Sequence, residues 1–323
     1  MNIHILYEYK HKMKKASNIT SNNRYRRSII DDNLSQFKKR VGNINYINKP
    51  IDKDQPLLLA IQYEADKIFS YLISSINIDL SIVDKDGQGA LHYAIDVNRI
   101  DYVRILIDRG IDVNNAMHYF DKNDPLSLAI RNNNKDIVLL LIYTGANITD
   151  RHLMFTIEHC NSYIFNFMIK HYLLTHRISR ALYNDLFVNI IKHKCFQSID
   201  VLFDTINDDE KLKRIINRRH KCFFRRTILH MLVLFNNIRY VKKLLIHGAS
   251  VNIKDKSGNT PLHLVKDIEI AKLLIDYGAD KHAMNDKNKR VVSVLAKNDS
   301  ELSRFVLNYR NDRFDDLSTL HEE

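Results

Sequence analysis

Tryptophan is absent from this chain of 323 residues, and glycine, proline and cysteine are scarce, at eight, four and three copies. No G-x-G-x-x-G, P-loop or G-x-S-x-G stands among those glycines, which removes the usual phosphate cradles and the nucleophile elbow. Cys160, Cys195 and Cys222 form no C-x-x-C pair and leave an odd count, a pattern that fits a reducing compartment better than a disulfide framework. No run of eighteen apolar residues occurs, so no membrane association is expected, and Ile3, Ile5 and Leu6 are interrupted at once by Glu8 and Lys10, which is no secretory h-region. The expectation is a soluble cytoplasmic monomer. Fifteen histidines offer no H-E-x-x-H face, and His220 with Cys222 supplies two ligands where a zinc site wants four. Neither catalytic chemistry nor a cofactor or metal is expected.

What the chain has in plenty is asparagine, isoleucine, lysine and tyrosine, whose codons are rich in A and T. It also carries a net charge of +11, unevenly spread: residues 1–40 hold ten basic against three acidic side chains, and residues 192–243 hold thirteen against five. Basic patches invite nucleic acid. No nucleic-acid-binding motif accompanies them, and an acidic protein surface would serve equally well, so nucleic acid ranks below protein as the expected partner.

The best-formed stretch runs from Leu245 to Val265. Gly248 follows the apolar run Val241, Leu244, Leu245, Ile246, where a left-handed glycine closes a helix. Thr260 and Pro261 open the next, threonine as N-cap and proline at the first helical position. Asp255, Ser257 and Gly258 between them favour tight turns. Three other starts recur in register: Gly89-Ala90-Leu91-His92, Asp124-Pro125-Leu126-Ser127 and Thr227-Ile228-Leu229-His230, each 21 residues before a glycine (Gly110, Gly145, Gly248). From Thr260 to Gly278 the count is 18, which predicts two shortened helices joined by Val265-Lys266-Asp267-Ile268.

Thr260-Pro261-Leu262-His263 resembles the helix-start signature of the ankyrin repeat, and the resemblance implies an all-α solenoid of stacked helix-turn-helix units with short projecting turns. It implies that His92, His230 and His263 tie the turn of one repeat to the next. The units expected are a basic flexible arm (1–27), a capping half-repeat (28–50), repeats at 51–83, 84–115 and 116–149, degenerate repeats at 150–176 and 177–221, repeats at 222–253 and 254–283, a degenerate cap (284–310) and a polar tail (311–323). In 150–217 the helical period continues but the signature and its caps disappear, so this middle is expected to open first.

In the family's pattern the turn tips vary with the partner. Carried over, the candidate protein-binding residues are Lys85, Asp86 and Gln88; Tyr119 and Phe120; Phe223, Phe224, Arg225 and Arg226; and Lys256 and Ser257. Phe223 and Phe224 lie inside a basic run from Arg218 to Arg226, aromatic and arginine side chains together being the composition of interface hot spots. The alternative is that both phenylalanines pack on the neighbouring repeat while the arginines solvate the loop. Repeats written as Leu91-His92-Tyr93-Ala94-Ile95, interleaved with worn ones, are similar to the poxvirus ankyrin-repeat proteins, which implies a viral interaction protein that binds a host factor and modulates host defence. Many members end in an F-box-like segment opening with Leu-Pro and serve as ubiquitin-ligase adaptors; no proline follows Pro261, so the type expected here lacks it, and an adaptor linking a substrate to a cullin-type ubiquitin ligase through a diverged C-terminal helix is the second reading.

Overall fold

The protein is described by a computed structural model over residues 24–41, 48, 55–114, 124–206, 208–297 and 299–309. Those residues are all-α, with no β-structure beyond isolated antiparallel bridges at Val83–Gly89, His220–Arg226 and Met284–Arg290. The chain divides into two compact units, residues 1–148 and 149–323.

The first unit holds α1 (Arg24–Ile30), α2 (Leu34–Val41), α3 (Pro56–Gln62), α4 (Asp66–Ser74), α5 (Ala90–Asp96), α6 (Ile100–Asp108), α7 (Pro125–Arg131) and α8 (Lys135–Tyr143). Helix α1 begins inside the stretch expected to be a basic arm. At seven to nine residues these helices are far below the length at which an isolated helix persists in water, about 12–15 residues. Stacking holds them: α3 packs on α5 and α5 on α7, while α2 packs on α4 and α6 on α8. Leu57, Ala60, Ile61, Ala94, Ile95, Ala129 and Ile130 are sealed in the first-helix layer, and Ile68, Leu72, Val103, Leu106, Val138 and Leu141 in the second. Between α4 and α6 the rings of Phe69 and Tyr102 stack at 4.1 Å, and Asp66 accepts from Tyr102 Oη at 2.7 Å and from Arg99 at 2.6 Å.

Asparagine, abundant in the sequence, does work that glycine does elsewhere. The turn inside most helix pairs takes a left-handed residue, and Asn98, Asn133 and Asn236 fill it with φ of 62°, 56° and 54°; asparagine tolerates that region because its side chain bonds locally. Asn134, Asn161 and Asn237 then cap the second helices through Oδ1. A third set clamps neighbours: the amides of Asn48, Asn114, Asn217 and Asn252 donate to the carbonyls of Asn77, Gly145, Gly248 and Gly278 and accept from the N–H groups of Asp79, Asn147, Ser250 and Asp280. Each amide thus stands in for a peptide group across a repeat junction.

The second unit holds α9 (Asp150–Glu158), α10 (Ser162–Thr175), α11 (Arg180–His193), α12 (Gln197–Thr205), α13 (Asp209–Ile216), α14 (Ile228–Leu234), α15 (Ile238–Ile246), α16 (Ile268–Asp276), α17 (Val291–Leu295) and α18 (Ser300–Asn308). Single 3-10 turns lie at Lys221–Phe223 and Pro261–Leu264. Two expectations are corrected here. The shortening after Thr260 falls entirely on the first helix, which is reduced to the turn Pro261–Leu264, while α16 keeps nine residues. And the signature does not vanish after residue 149: Thr149 donates its N–H to His152 Nδ1 at 3.1 Å, the same box as Thr227–His230 and Thr260–His263. Ser179 and Asp208 cap α11 and α13, whereas α12 follows Phe196 with no side-chain cap, so the middle is capped at most of its helices.

Candidate protein-interaction site on the turn tips

Each tip is a chain reversal ahead of a first helix, and an acidic or amide side chain staples most of them. Asp84 Oδ1 accepts from the N–H groups of Asp86 and Gln88, both at 2.8 Å; Asp255 Oδ1 accepts from Ser257 at 2.8 Å and Asn259 at 3.0 Å; Asn285 Oδ1 accepts from Lys287 at 3.0 Å and Lys289 at 3.1 Å. In all three the first residue's N–H closes on the carbonyl four residues on. The tip at 220–226 differs. His220 N–H closes on Arg226, six residues on, and the loop is held by the His220 carbonyl, which accepts from Phe223 at 3.1 Å and Arg225 at 2.9 Å. Phe224 and Arg225 are both left-handed, with φ of 55° and 58°. That region costs a side-chain-bearing residue on the order of 1–2 kcal/mol.

The result is an aromatic presented outward. Phe224 is 66% exposed, whereas Phe223 is half-buried with its ring 6.2 Å from that of His220. The next tip fixes this geometry: Lys256 N–H donates to the Phe224 carbonyl at 2.8 Å, and Arg226 Nε donates to Asp255 Oδ2 at 3.1 Å. The Asp255 side chain is 1% exposed and that of Arg226 23%. Arg226 therefore serves as a tie between tips, with its guanidinium 5.8 Å from the Phe224 ring. Among the described residues, exposed Arg218, Arg219, Lys221 and Arg225 have no carboxylate within ion-pair distance. The same run of chain so carries an exposed apolar ring and unneutralised positive charge.

Beneath the tips stand the signature histidines. His230 Nδ1 accepts from Thr227 N–H at 3.2 Å and its Nε2 donates to the Asn259 carbonyl of the next tip at 3.1 Å; His263 does the same with Thr260 at 3.1 Å and Lys289 at 3.4 Å. Both rings are neutral in this arrangement, since Nδ1 must keep a lone pair. Burial depresses their basicity, that of His230 down to about 4. His220 is lowered too, first by burial and then by Arg218.

The structure brings Phe223, Phe224, Arg225, Arg226, Lys256 and Ser257 together on the second unit. Lys85 and Asp86 are exposed and Gln88 half-buried on a tip of the first unit, above Asp84, whose Oδ2 accepts from Tyr93 Oη at 2.9 Å. Tyr119 and Phe120 lie outside the described residues. Sequence reading gave Asp255 a place in the turn but not its role as the buried carboxylate that orders two tips, although the repetition as Asp84, Asp255 and Asn285 five residues before a helix cap was a visible signal. A cleft of about 420 Å³ lined by Arg180, Asp208, Glu210, Lys211 and Arg214 lies elsewhere on this unit, with charges of both signs facing it. No described helix is long and apolar enough to cross a membrane.

A family model described as ankyrin repeats in three copies matches residues 28–117 and 202–285, more than half of the chain. The chain belongs to the ankyrin-repeat family. A model for a single ankyrin repeat also matches residues 121–153. An ankyrin repeat protein of Acanthamoeba polyphaga mimivirus is 26% identical over 242 residues, 73% of this chain and 29% of that protein. One from fowlpox virus is 28% identical over 246 residues, 70% of this chain and 60% of its own length. Protein phosphatase 1 regulatory subunit 27 of Homo sapiens is 43% identical over 61 residues, 18% of this chain and 40% of that protein. The chain thus spans less than two thirds of each of these relatives. Ankyrin repeats are a non-catalytic module that mediates binding to protein partners, and these relatives are named as repeat proteins or as a regulatory subunit.

Proposed function

We propose that this ankyrin-repeat chain is a binding scaffold of the poxvirus type, acting in the cytoplasm of a host cell by occupying a host protein and modulating host defence. The observation that carries the reading is the tip at 220–226: a left-handed, 66% exposed Phe224 tied from behind by the Lys256 N–H, in a run of chain that also carries the exposed, unpaired Arg218, Arg219 and Arg225. A rigid aromatic anchor ringed by charge is the arrangement found at interface hot spots, and the positive rim selects an acidic partner surface. The fowlpox and mimivirus relatives support a viral setting. Lys85, Asp86 and Gln88 form a second contact surface on the first unit.

The test is affinity purification of the intact chain from host cells beside Phe224→Ala and Lys85→Ala/Asp86→Ala variants. Loss of the aromatic should weaken capture by roughly thirtyfold or more, equivalent to about 2 kcal/mol, with an unchanged melting temperature. Unchanged capture by Phe224→Ala would move the site to another tip. Recovery of ubiquitin-ligase subunits would favour an adaptor role, and recovery of nucleic acid that survives nuclease-free washing a nucleic-acid-binding one.

A further inference from the structure

The fold brings together two cysteines that the sequence keeps 35 residues apart. Cys160 is exposed in the turn between α9 and α10, with φ of 51°, and Cys195 is 5% exposed in the turn between α11 and α12. Each thiol lies against the other's turn. Cys160 Sγ also donates to the His193 carbonyl at 3.4 Å, two residues before Cys195. On the other side Cys195 Sγ lies 3.7 Å from Ser162 Oγ and 3.5 Å from Ser198 Oγ. One cysteine is therefore open to solvent and the other is held behind it, on turns of adjacent, packed repeats that a bond would cross-link. Cys222 stands in the 220–226 tip, away from this pair in the chain.

We propose that Cys160 and Cys195 are a reversible oxidation site, at which a peroxide reacts with Cys160 and Cys195 closes the disulfide. The Cys160 thiolate attacks the O–O bond of hydrogen peroxide, taking one oxygen as a sulfenic acid while the second leaves as hydroxide and is protonated to water. Cys195 sulfur then attacks the Cys160 sulfur, forming the S–S bond; the hydroxyl departs with the Cys195 proton as the second water. Two thiols and one peroxide give one disulfide and two waters, and a dithiol reductant reverses the change. Partial desolvation in the turn, with the Cys195 thiol as a second cause, holds the Cys160 thiol up at about 11, so its thiolate is scarce at neutral pH and oxidation accelerates as pH rises. The closed bond would tie the α9–α10 turn to the α11–α12 turn and restrict the unfolded chain over the intervening loop.

The experiment uses the full chain carrying Cys222→Ser, treated with hydrogen peroxide and digested without reduction. The expected result is a peptide containing Cys160 joined to one containing Cys195, two hydrogens lighter than their sum, and a melting temperature raised by about 5 °C, both reversed by dithiothreitol. The two cysteines should behave unequally. With Cys195→Ala, Cys160 should accumulate as a sulfenic acid captured by dimedone; with Cys160→Ala, Cys195 should stay reduced at the same dose. Progress of Cys160 to the sulfinic acid without any joined peptide would overturn the proposal, as would equal oxidation of Cys195 once Cys160 is removed.

Discussion

The most complete helix-start signature in the chain, Thr260-Pro261-Leu262-His263, sits on its shortest first helix, a single 3-10 turn, while one of the most worn stretches carries the two longest helices, α10 and α11 of 14 residues each. Signature and helix are therefore separable. Threonine and histidine specify a junction: the threonine N–H meets the imidazole, and the imidazole meets the carbonyl of the next tip. Helix length follows from how much apolar surface the element buries. Around residues 162–193 Phe165, Met168, Ile169, Tyr183, Leu186, Phe187 and Ile190 are enclosed, whereas Pro261–Leu264 needs to seal little beyond Pro261, Leu262 and His263.

The comparison can be broken from either side. The largest effect should come from the worn side: Phe187→Ala removes a fully buried ring that meets Phe203 edge to face at 6.1 Å, and should cost about 3–5 kcal/mol in chemical denaturation. A loss below about 1 kcal/mol would mean that packing does not hold the middle. On the signature side, Gly258→Ala should cost about 3 kcal/mol. Gly258 has φ of 75°, and an added Cβ would lie 2.5 Å from the backbone nitrogen of Asp286 on the next tip, so two tips would have to separate.

Acid should act on the signature junctions through a third route. The folded-state pKa of His230 is about 4 against an ordinary 6.5, so the neutral ring stabilises the fold above pH 6.5, and that contribution is lost as pH falls from 6.5 towards 4. The full loss is on the order of 3 kcal/mol. Hydrogen exchange at pH 4.5 should show protection falling first over 227–264. His230→Gln, with no charge to gain, should flatten the profile.

Caps come next in size. Ser179→Ala removes the acceptor for Leu182 N–H at 3.0 Å and should cost about 1 kcal/mol, visible as faster exchange at the start of α11. The expectation that 150–217 opens before all else rested on missing caps; Thr149, Asn161, Ser179 and Asp208 supply four, and only α12, after Phe196, goes without one. The smallest effect is a gain. Arg225→Gly relieves a left-handed arginine at φ 58° and should raise stability by up to about 1 kcal/mol, measured by the denaturation midpoint, while it removes one of the charges beside Phe224.

Much of the fold was legible because the ankyrin junction is local. A glycine stop, a threonine start and the 21-residue interval between them need only neighbours in the chain, so α5 to α8, α14 and α15 fall where the pattern put them. The candidate site was legible in part. The projection of Phe224 agrees with its position three before Thr227, but the commitment of Arg226 to Asp255 depends on a partner 29 residues away, which no local pattern carries. Thr149 and His152 were missed because the two residues between them, Asp150 and Arg151, replace the usual proline and leucine.

By itself the sequence determined the repeat, its period, the helical class and the uneven charge, since each depends on residue identity at short spacing, where backbone propensity and capping act. Only the tertiary structure decided which asparagines clamp neighbours, which arginine is tied down, which phenylalanine faces solvent and which two cysteine turns lie against each other. Those outcomes depend on contacts between adjacent repeats, created when the helices stack, so the energy that selects them does not exist until the stack has formed.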